Sequence, residues 1–481
     1  MSRRAAIVGS GPNGLTAAAL LARAGWEVDV YEQADVPGGA GRSSDVLGPG
    51  TIVDLGAAGH PFGIASPAFR ELDLAAHGLE WRHSRYPMAH PLDNGEVALL
   101  HRGVGDTARG LGGDGRAWRL LHADLTRQVD LHLDNLLGPV LRVPPHPLAL
   151  LAFGPRALPP ARALATAAFR GERARVLFTG SAVHAMAAPS TPMTSAFGLL
   201  FGALGMSRGW PVAAGGTRSV VAALEGALTA HGGRIHTGHE VGDLRELSGA
   251  DAVIVNMTPR QVLGLGGLDA VPRSMWSWRY GPGAHKLDIL LDGPVPWDNP
   301  AVSDATTVHV CGSTAEIDTA ERQAVAGTVP ERPFVLLCQQ QVADPSRSAD
   351  PREHVVWAYA HVPAGSADPR VRDRIIAQIE RFAPGFTSRI IRVVEHTPRD
   401  LERWDPNLVG GDVAGGATTG IQAVRRMPVR LGGNLYMASA SSAPGGGVHG
   451  MPGYWAARAV LQDAAGWGGP RLGPPRRNRL H

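Results

Sequence analysis

A glycine-rich turn near the amino terminus has the spacing that brings backbone amides against a pyrophosphate. Its residues are Gly9, Ser10, Gly11, Pro12, Asn13 and Gly14. Gly9 permits a tight turn, Gly11 lets the backbone approach the phosphates, and Gly14 lets a following helix pack closely on the preceding strand. Unpaired amides at that helix N-terminus add a partial positive charge facing the phosphates. The turn therefore predicts a dinucleotide-binding site.

An acidic residue follows this turn where a ribose ligand is expected. Glu32 comes directly after the predicted strand at residues 28–31, and the turn itself follows the apolar run at residues 5–8. This strand–turn–helix–strand context makes the motif specific. A carboxylate in that place is expected to accept from both ribose hydroxyls and disfavours a 2′-phosphate, so FAD or NAD is favoured over NADP.

A second glycine pair decides between these two cofactors. Gly38 and Gly39 are followed by Arg42. Here the sequence resembles the flavoproteins with two dinucleotide-binding domains, the superfamily of amine oxidases, phytoene desaturases and protoporphyrinogen oxidase. The resemblance implies that the pair and the arginine contact the FAD pyrophosphate, and a planar guanidinium suits that role because it pairs phosphate oxygens bidentately. FAD is therefore the expected cofactor.

Two further segments carry the same resemblance. Residues 232–241 look like the strand pair that holds adenine through backbone groups, a role that falls on Val241. Residues 442–453 are similar to the carboxyl-terminal signature of the phytoene-dehydrogenase-like branch and place Gly447, Val448 and Met451 at the cofactor. There a helix N-terminus would favour the negative charge of a reduced flavin.

Two histidines are candidates for proton transfer. His60 follows a strand that the resemblance places beneath the flavin, and His449 lies inside the carboxyl-terminal glycine turn. Histidine exchanges protons near neutral pH, but a structural histidine bonded to backbone is an open alternative at both positions. The apolar stretch 182–206 also has two readings, the wall of a substrate tunnel or ordinary core.

The periodicity of the chain predicts an α/β fold. Residues 4–32, 217–256 and 434–461 contain buried strands and helices of a Rossmann-like sheet, interrupted by two stretches of different character. We therefore expect an FAD-binding domain made of residues 1–62, 207–267 and 425–466. An inserted α+β substrate domain would comprise residues 63–206 and 268–424, and residues 467–481 would form a disordered tail.

Composition excludes several classes of protein. The 481 residues are 44% apolar and 19% charged with a net charge of +3, which indicates a globular chain and gives no sign of nucleic-acid binding. The two cysteines, Cys311 and Cys338, form neither a redox pair nor a metal motif. No metal and a cytoplasmic location are therefore expected. No apolar run is long enough to span a membrane, whereas contact with a membrane surface and the oligomeric state stay open.

These features predict an FAD-dependent oxidoreductase that moves a hydride to or from flavin N5. The resemblance implies an apolar substrate, polyene or isoprenoid-like, that is desaturated, isomerised or saturated. A flavin amine or alcohol oxidase that produces peroxide is one alternative, and a lipid-escort protein without turnover is another. The escort reading is disfavoured because Gly9, Gly11, Gly14, Glu32 and Arg42 are all kept.

Overall fold

The computed structural model describes residues 2–139, 141–268 and 270–466, so the predicted tail at 467–481 lies outside the described residues. Strands are numbered in chain order: β1 (Arg4–Val8), β2 (Glu27–Tyr31), β3 (Ser43–Ser44), β4 (Val53–Asp54), β5 (Trp81–Arg82), β6 (Tyr86–Pro91), β7 (Val97–Leu100), β8 (Val212–Ala213), β9 (Arg234–His236), β10 (Ala252–Val255), β11 (Gly283–Leu291), β12 (Ala305–Val310), β13 (Val335–Cys338), β14 (His354–Val362), β15 (Ile390–His396), β16 (Arg430–Gly432) and β17 (Leu435–Met437).

The α-helices are numbered in the same way: α1 (Pro12–Arg23), α2 (Pro61–Ile64), α3 (Pro67–Glu71), α4 (Val104–Gly110), α5 (Gly115–Arg127), α6 (Val129–Leu136), α7 (Pro147–Ala157), α8 (Ala161–Ala168), α9 (Glu172–Ala182), α10 (Thr194–Ser207), α11 (Arg218–Thr229), α12 (Pro259–Val262), α13 (Arg273–Trp276), α14 (Thr314–Val325), α15 (Arg370–Glu380), α16 (Pro398–Trp404), α17 (Ile421–Val424) and α18 (Met451–Ala464). None of the helices in these ranges is long and apolar enough to cross a membrane.

A six-stranded sheet forms the Rossmann-like layer, in the order β16-β17-β10-β1-β2-β9. All its pairs are parallel except β16–β17. Helices α11 and α18 pack against α1, and this cluster buries the apolar side chains of all three. The sheet draws its strands from three separated stretches of chain, and the fold is of the predicted α/β type with an inserted second unit. The exact domain boundaries stay a prediction.

A seven-stranded, mainly antiparallel sheet forms the second layer, in the order β15-β11-β14-β13-β12-β6-β7. Side chains alternate between the two faces of a strand. One face, with Leu287, Val308 and Leu337, packs in a core that includes α15. The opposite face, with residues such as Lys286 and Tyr359, borders a large cavity. The alternation therefore aims one whole face of this sheet at the candidate site.

Helix α10 borders the cavity from the other side, and helices α4 to α9 contact α10. Helices α5 and α6 follow each other directly and are separate helices, because Gln128 leaves helical geometry at φ −110° and ψ 29° between them. Helix α10 packs against α5, α7, α8 and α9. Its central position makes it the helix that connects the buried core of this layer to the cavity wall.

Candidate functional site

One cavity of about 720 Å³ runs from the glycine turn of the first sheet to the inner face of the second. Parallel strands of a Rossmann-like sheet present their carboxyl ends to such a crevice. The cavity therefore has a polar end built by loops and an apolar end built by strands and α10.

The glycine turn forms the floor of the polar end. Gly9 has φ +95° and Gly11 caps α1, which begins at Pro12. Gly9, Gly11, Pro12 and Asn13 line the cavity, whereas Gly14 lies behind it. A Cβ on Gly14 would come 2.1 Å from the carbonyl oxygen of Gly9, so glycine is required there by the close packing of turn and helix.

The carboxylate of Glu32 already accepts hydrogen bonds from the protein, two of them from the glycine turn. Its Oε2 accepts from the amide of Ser10 at 2.9 Å and from its hydroxyl at 2.6 Å, and its Oε1 accepts from the amide of Ala34 at 3.0 Å. A carboxylate offers about four lone-pair sites, so about one remains on Oε1. Sequence reasoning expected Glu32 to accept from both ribose hydroxyls. With about one free acceptor site, we now expect Glu32 to accept a strong hydrogen bond from one of them. Ser10, which sequence reasoning passed over, also accepts from the Gly38 amide at 3.0 Å.

The second glycine pair brings the arginine to the same end of the cavity. Gly39 and Arg42 line it, whereas Gly38 packs against Val221. The guanidinium of Arg42 lies 4.8 Å from the ring centre of Trp404, and its Nε donates to the Gly39 carbonyl at 3.0 Å. Trp404 also lines the cavity, and no local sequence signal marked it, because it comes from the distant helix α16.

The two remaining cofactor segments divide between the cavity and the core. Val241, Gly447 and Val448 line the cavity. The expected strand at Val241 is absent, since β9 ends at His236 and the chain is irregular where Val241 lies. Met451 is the first residue of α18, is buried in the core and does not line the cavity, and its contact with the cofactor stays a prediction.

His60 lines the cavity with a neutral ring. The hydroxyl of Thr217 donates to the Ala57 carbonyl at 2.6 Å, so it accepts from His60 Nε2, 2.9 Å away. His60 Nδ1 is buried without a partner. Burial lowers the pKa of His60 to about 4. The geometry thus ties the Nε2 proton to Thr217, and a catalytic role for His60 stays a prediction.

His449 has a structural place instead. It is 1% exposed, lies outside the cavity lining, and its Nδ1 accepts from the amide of Met451 at 3.1 Å. Burial lowers its pKa to about 4. The ring therefore satisfies one of the free amides at the start of α18, and a catalytic role for His449 stays a prediction.

A buried ion pair at the apolar end was not anticipated. Lys286, the single lysine of the chain, lines the cavity and donates to both carboxylate oxygens of Asp288. Its Nζ lies 5.8 Å from the ring centre of Trp357. Burial lowers the pKa of Lys286, and Asp288 opposes that shift. The sequence showed Lys286 only as a strand residue, because the pairing depends on the fold.

Apolar side chains enclose the rest of this end. Met186, Met193, Phe197 and Phe201 line the cavity, whereas Leu199 and others of the same stretch are buried in the core. Some side chains of residues 182–206 therefore line the cavity and others form ordinary core, and contact of the first group with a substrate stays a prediction. Met and Phe can follow an apolar molecule of irregular shape, so this end suits a hydrophobic ligand.

The polar end fits FAD. A Cβ on Gly39 would lie 3.2 Å from the Cα of Gly11, so only glycines leave this space open. The side-chain oxygen of Asn13 is buried there without a partner. Gly11, Asn13 and Arg42 would hold the pyrophosphate and Glu32 the ribose, and the bound flavin would supply hydride transfer at N5. Among the described residues no cluster of three metal-ligating side chains occurs.

Comparisons with known proteins agree with this geometry. Residues 7–72 match the family model described as an NAD(P)-binding Rossmann-like domain. A rat relative named pyridine nucleotide-disulfide oxidoreductase domain-containing protein 2 is 27% identical, covering 95% of this chain and 93% of its own length. The mouse protein of the same name is 26% identical over the same shares.

Three solved structures share the fold. An oxidoreductase from Methanosarcina mazei gives a TM-score of 0.62 at 16% identity, covering 95% of this chain and 100% of its own. Putrescine oxidase bound to putrescine gives 0.61 at 16%, covering 97% and 99%. Cyclohexylamine oxidase from Brevibacterium oxydans gives 0.58 at 16%, covering 97% and 100%. At these identities the likeness shows the fold alone.

The disulfide chemistry in the relatives' name has no counterpart among this chain's cysteines. Cys311 and Cys338 are both free and buried. Burial raises the pKa of the Cys338 thiol to about 12 and that of Cys311 well above its ordinary value. Thiol–disulfide exchange requires an accessible thiolate, so these cysteines are structural.

Proposed function

We propose that this chain, an FAD-dependent oxidoreductase, desaturates, isomerises or saturates an apolar small molecule of polyene or isoprenoid-like type. The observation that carries the proposal is the continuity of one cavity, from the FAD cradle at Gly11 and Glu32 to walls made of Met193, Phe197 and Phe201. A ligand seated against those walls would be desolvated, and exclusion of water is what the protein contributes to flavin chemistry.

Anaerobic bleaching of the bound flavin tests this reaction class. The oxidised holoprotein would be mixed without oxygen with linear polyenes and isoprenoid hydrocarbons, and the visible absorbance followed. Reduction by at least one such compound supports a desaturase. If photoreduced protein instead returns to the oxidised spectrum on adding a polyene, saturation is the direction. If photoreduced protein converts a polyene to an isomer and stays reduced, isomerisation is the reaction. Failure of every apolar compound in all three respects would refute the proposal.

A flavin amine or alcohol oxidase that releases peroxide is the second candidate. Two of the structural neighbours carry amine oxidase names. Lys286 does not decide between the two candidates, because the Asp288 carboxylate neutralises its ammonium on the cavity wall. A peroxide assay in air distinguishes the two candidates. An oxidase yields one peroxide per substrate turned over, whereas bleaching of the flavin without stoichiometric peroxide favours the desaturase.

The outer face of α7 favours delivery of the substrate from a membrane surface. This face is exposed and wholly apolar, with Pro147, Leu148, Leu151, Ala152, Pro155 and Leu158. Leu148 is 81% exposed and Leu151 is 71% exposed. Exposed aliphatic patches of this kind mark interaction sites, and a helix lying in the interface buries such a face in lipid.

The position of α7 connects that surface to the cavity. The amide of Met193, a cavity-lining residue, donates to the carbonyl of Leu158 at 2.8 Å. The proposal includes the cytoplasmic location expected from the sequence and a peripheral attachment that the sequence left open, and the oligomeric state stays open.

Flotation with vesicles of phosphatidylcholine and phosphatidylglycerol tests the contact. We expect the protein to float with the vesicles and Leu148→Asp/Leu151→Asp to remain below. Val325→Asp, at an exposed valine ending α14, is the matched control and should float like the wild type. Equal behaviour of the paired leucine variant and the control would refute the contact.

A further inference from the structure

Two histidines meet at the apolar wall of the cavity. His184 lies in a short 3-10 turn between α9 and α10, and His309 lies on β12. Their Nε2 atoms are 3.2 Å apart. The ring of His184 lines the cavity and stacks on Phe201, with 4.5 Å between ring centres and 12° between planes. His309 is fully buried behind it.

The surroundings of His309 determine where the shared proton lies. Its Nδ1 is buried without a partner and packs against Gly180, whose Cβ position would be 2.8 Å away. An N–H there would be an unsatisfied buried donor, which is rarer in proteins than an unused acceptor. His309 therefore carries its proton on Nε2 and donates it to His184 Nε2.

This arrangement leaves His184 with a donor at the cavity. Because its Nε2 accepts from His309, a neutral His184 carries its proton on Nδ1. Burial, with a contribution from His361, lowers the pKa of His184 to about 3, so the ring is neutral near pH 7. Among the residues that the structure describes, no group accepts from Nδ1, and this nitrogen is not one of the enclosed unpaired atoms. It is thus available to a ligand.

The backbone holds this donor rigidly. Asp73, Met186 and Met193 are the described non-glycine residues with φ in the left-handed region, and both methionines line the cavity beside His184. Such conformations cost energy and cluster at functional sites. In addition, the hydroxyl of Thr418 donates to the carbonyl of Ala185, next to His184. The turn is therefore fixed from two sides.

Resting on the proposed function, we infer that His184 donates its Nδ1 proton to an oxygen acceptor on an otherwise apolar substrate. The substrate class is then a carbonyl-bearing hydrocarbon, with the oxygen at His184 and the chain along Phe197 and Met186. A single placed donor in an apolar pocket fixes orientation and rejects molecules that leave it unpaired. His309 acts as a positioning residue because it sets the tautomer of His184.

Two volatile probes of equal size test the inference. 2-Octanone and 2-methyloctane differ in having oxygen or methyl at the same carbon, and headspace gas chromatography measures the free concentration of each over the holoprotein. We expect His184→Phe to weaken 2-octanone binding about fivefold to tenfold and to change 2-methyloctane binding less than twofold. His309→Phe should weaken 2-octanone about twofold, because His184 then divides its proton between two nitrogens.

A buried histidine away from the cavity provides the control. His122 stacks on Trp118 at 4.2 Å, has an unpartnered Nε2, and lies outside the cavity lining. His122→Phe should leave both probe affinities unchanged. Equal effects of His184→Phe on the two probes, an unchanged affinity for 2-octanone, or a wild type that binds neither probe would overturn the inference. Flavin content is measured separately, by visible absorbance, and it reports on the proposed function.

Discussion

Replacement of Glu32 by Gln is expected to weaken FAD binding about 10- to 100-fold. Three amide and hydroxyl donors already occupy the carboxylate, which leaves about one acceptor site for ribose. Hydrogen bonds to charged groups contribute about 1.5–3 kcal/mol, and about 1.4 kcal/mol is a factor of ten in affinity. Gln also turns an NH₂ group toward Ser10 or Ala34, which costs about 1–3 kcal/mol of stability for an unsatisfied donor.

The assay is a titration of apoprotein with FAD, followed by quenching of flavin fluorescence. Glu27→Gln is the matched control, because Glu27 begins β2, the strand that Glu32 follows. Its side chain is exposed and accepts from the hydroxyl of Ser2 near the amino terminus. Its dissociation constant should stay within twofold of the wild type. Thermal unfolding of each apoprotein shows that the variants fold. A Glu32→Gln protein that folds and binds FAD within twofold of the wild type would refute the ribose assignment.

Three further predictions concern stability. Arg347 is buried between Asp54 and Asp344 at 2.7 and 3.0 Å, so Arg347→Met should lower the free energy of unfolding by about 3–5 kcal/mol in urea; an effect no larger than that of exposed Arg352→Met would contradict this. Gly453→Ala should lower the free energy of unfolding by about 1–3 kcal/mol or more, because its Cβ would lie 1.8 Å from a carbonyl oxygen of α1. A free energy of unfolding equal to that of the wild type would contradict that packing. Burial lowers the pKa of five histidines, His60, His90, His122, His184 and His449. The melting temperature should therefore fall as the pH is lowered from about 6.5 to about 4, because the unfolded chain then binds protons that the native chain does not. A melting temperature that does not change over this range would contradict the burial of these histidines.

The cofactor end could be predicted because its signals are local. Gly9 to Gly14 and Glu32 lie within one strand–helix–strand unit, where spacing alone sets geometry. The occupancy of Glu32 by Ser10 and Ala34 could not be predicted, since it depends on how the chain turns after β2. The α/β class followed from periodicity, whereas the break at Gln128 depended on packing.

The apolar end was largely beyond sequence reasoning. His184 and His309 are 125 residues apart, and only the fold brings their nitrogens together. Trp404 reaches Arg42 across an even longer separation. The position of the His449 ring could not be predicted, because a histidine in a glycine turn can face a ligand or the following helix, and its bond to the amide of Met451 depends on the fold.

The most direct test of the account is the visible spectrum of the purified protein, with its cofactor released by heat and identified by chromatography. The account predicts a flavin spectrum and about one FAD per chain. A colourless protein that cannot be reconstituted with added FAD would contradict it.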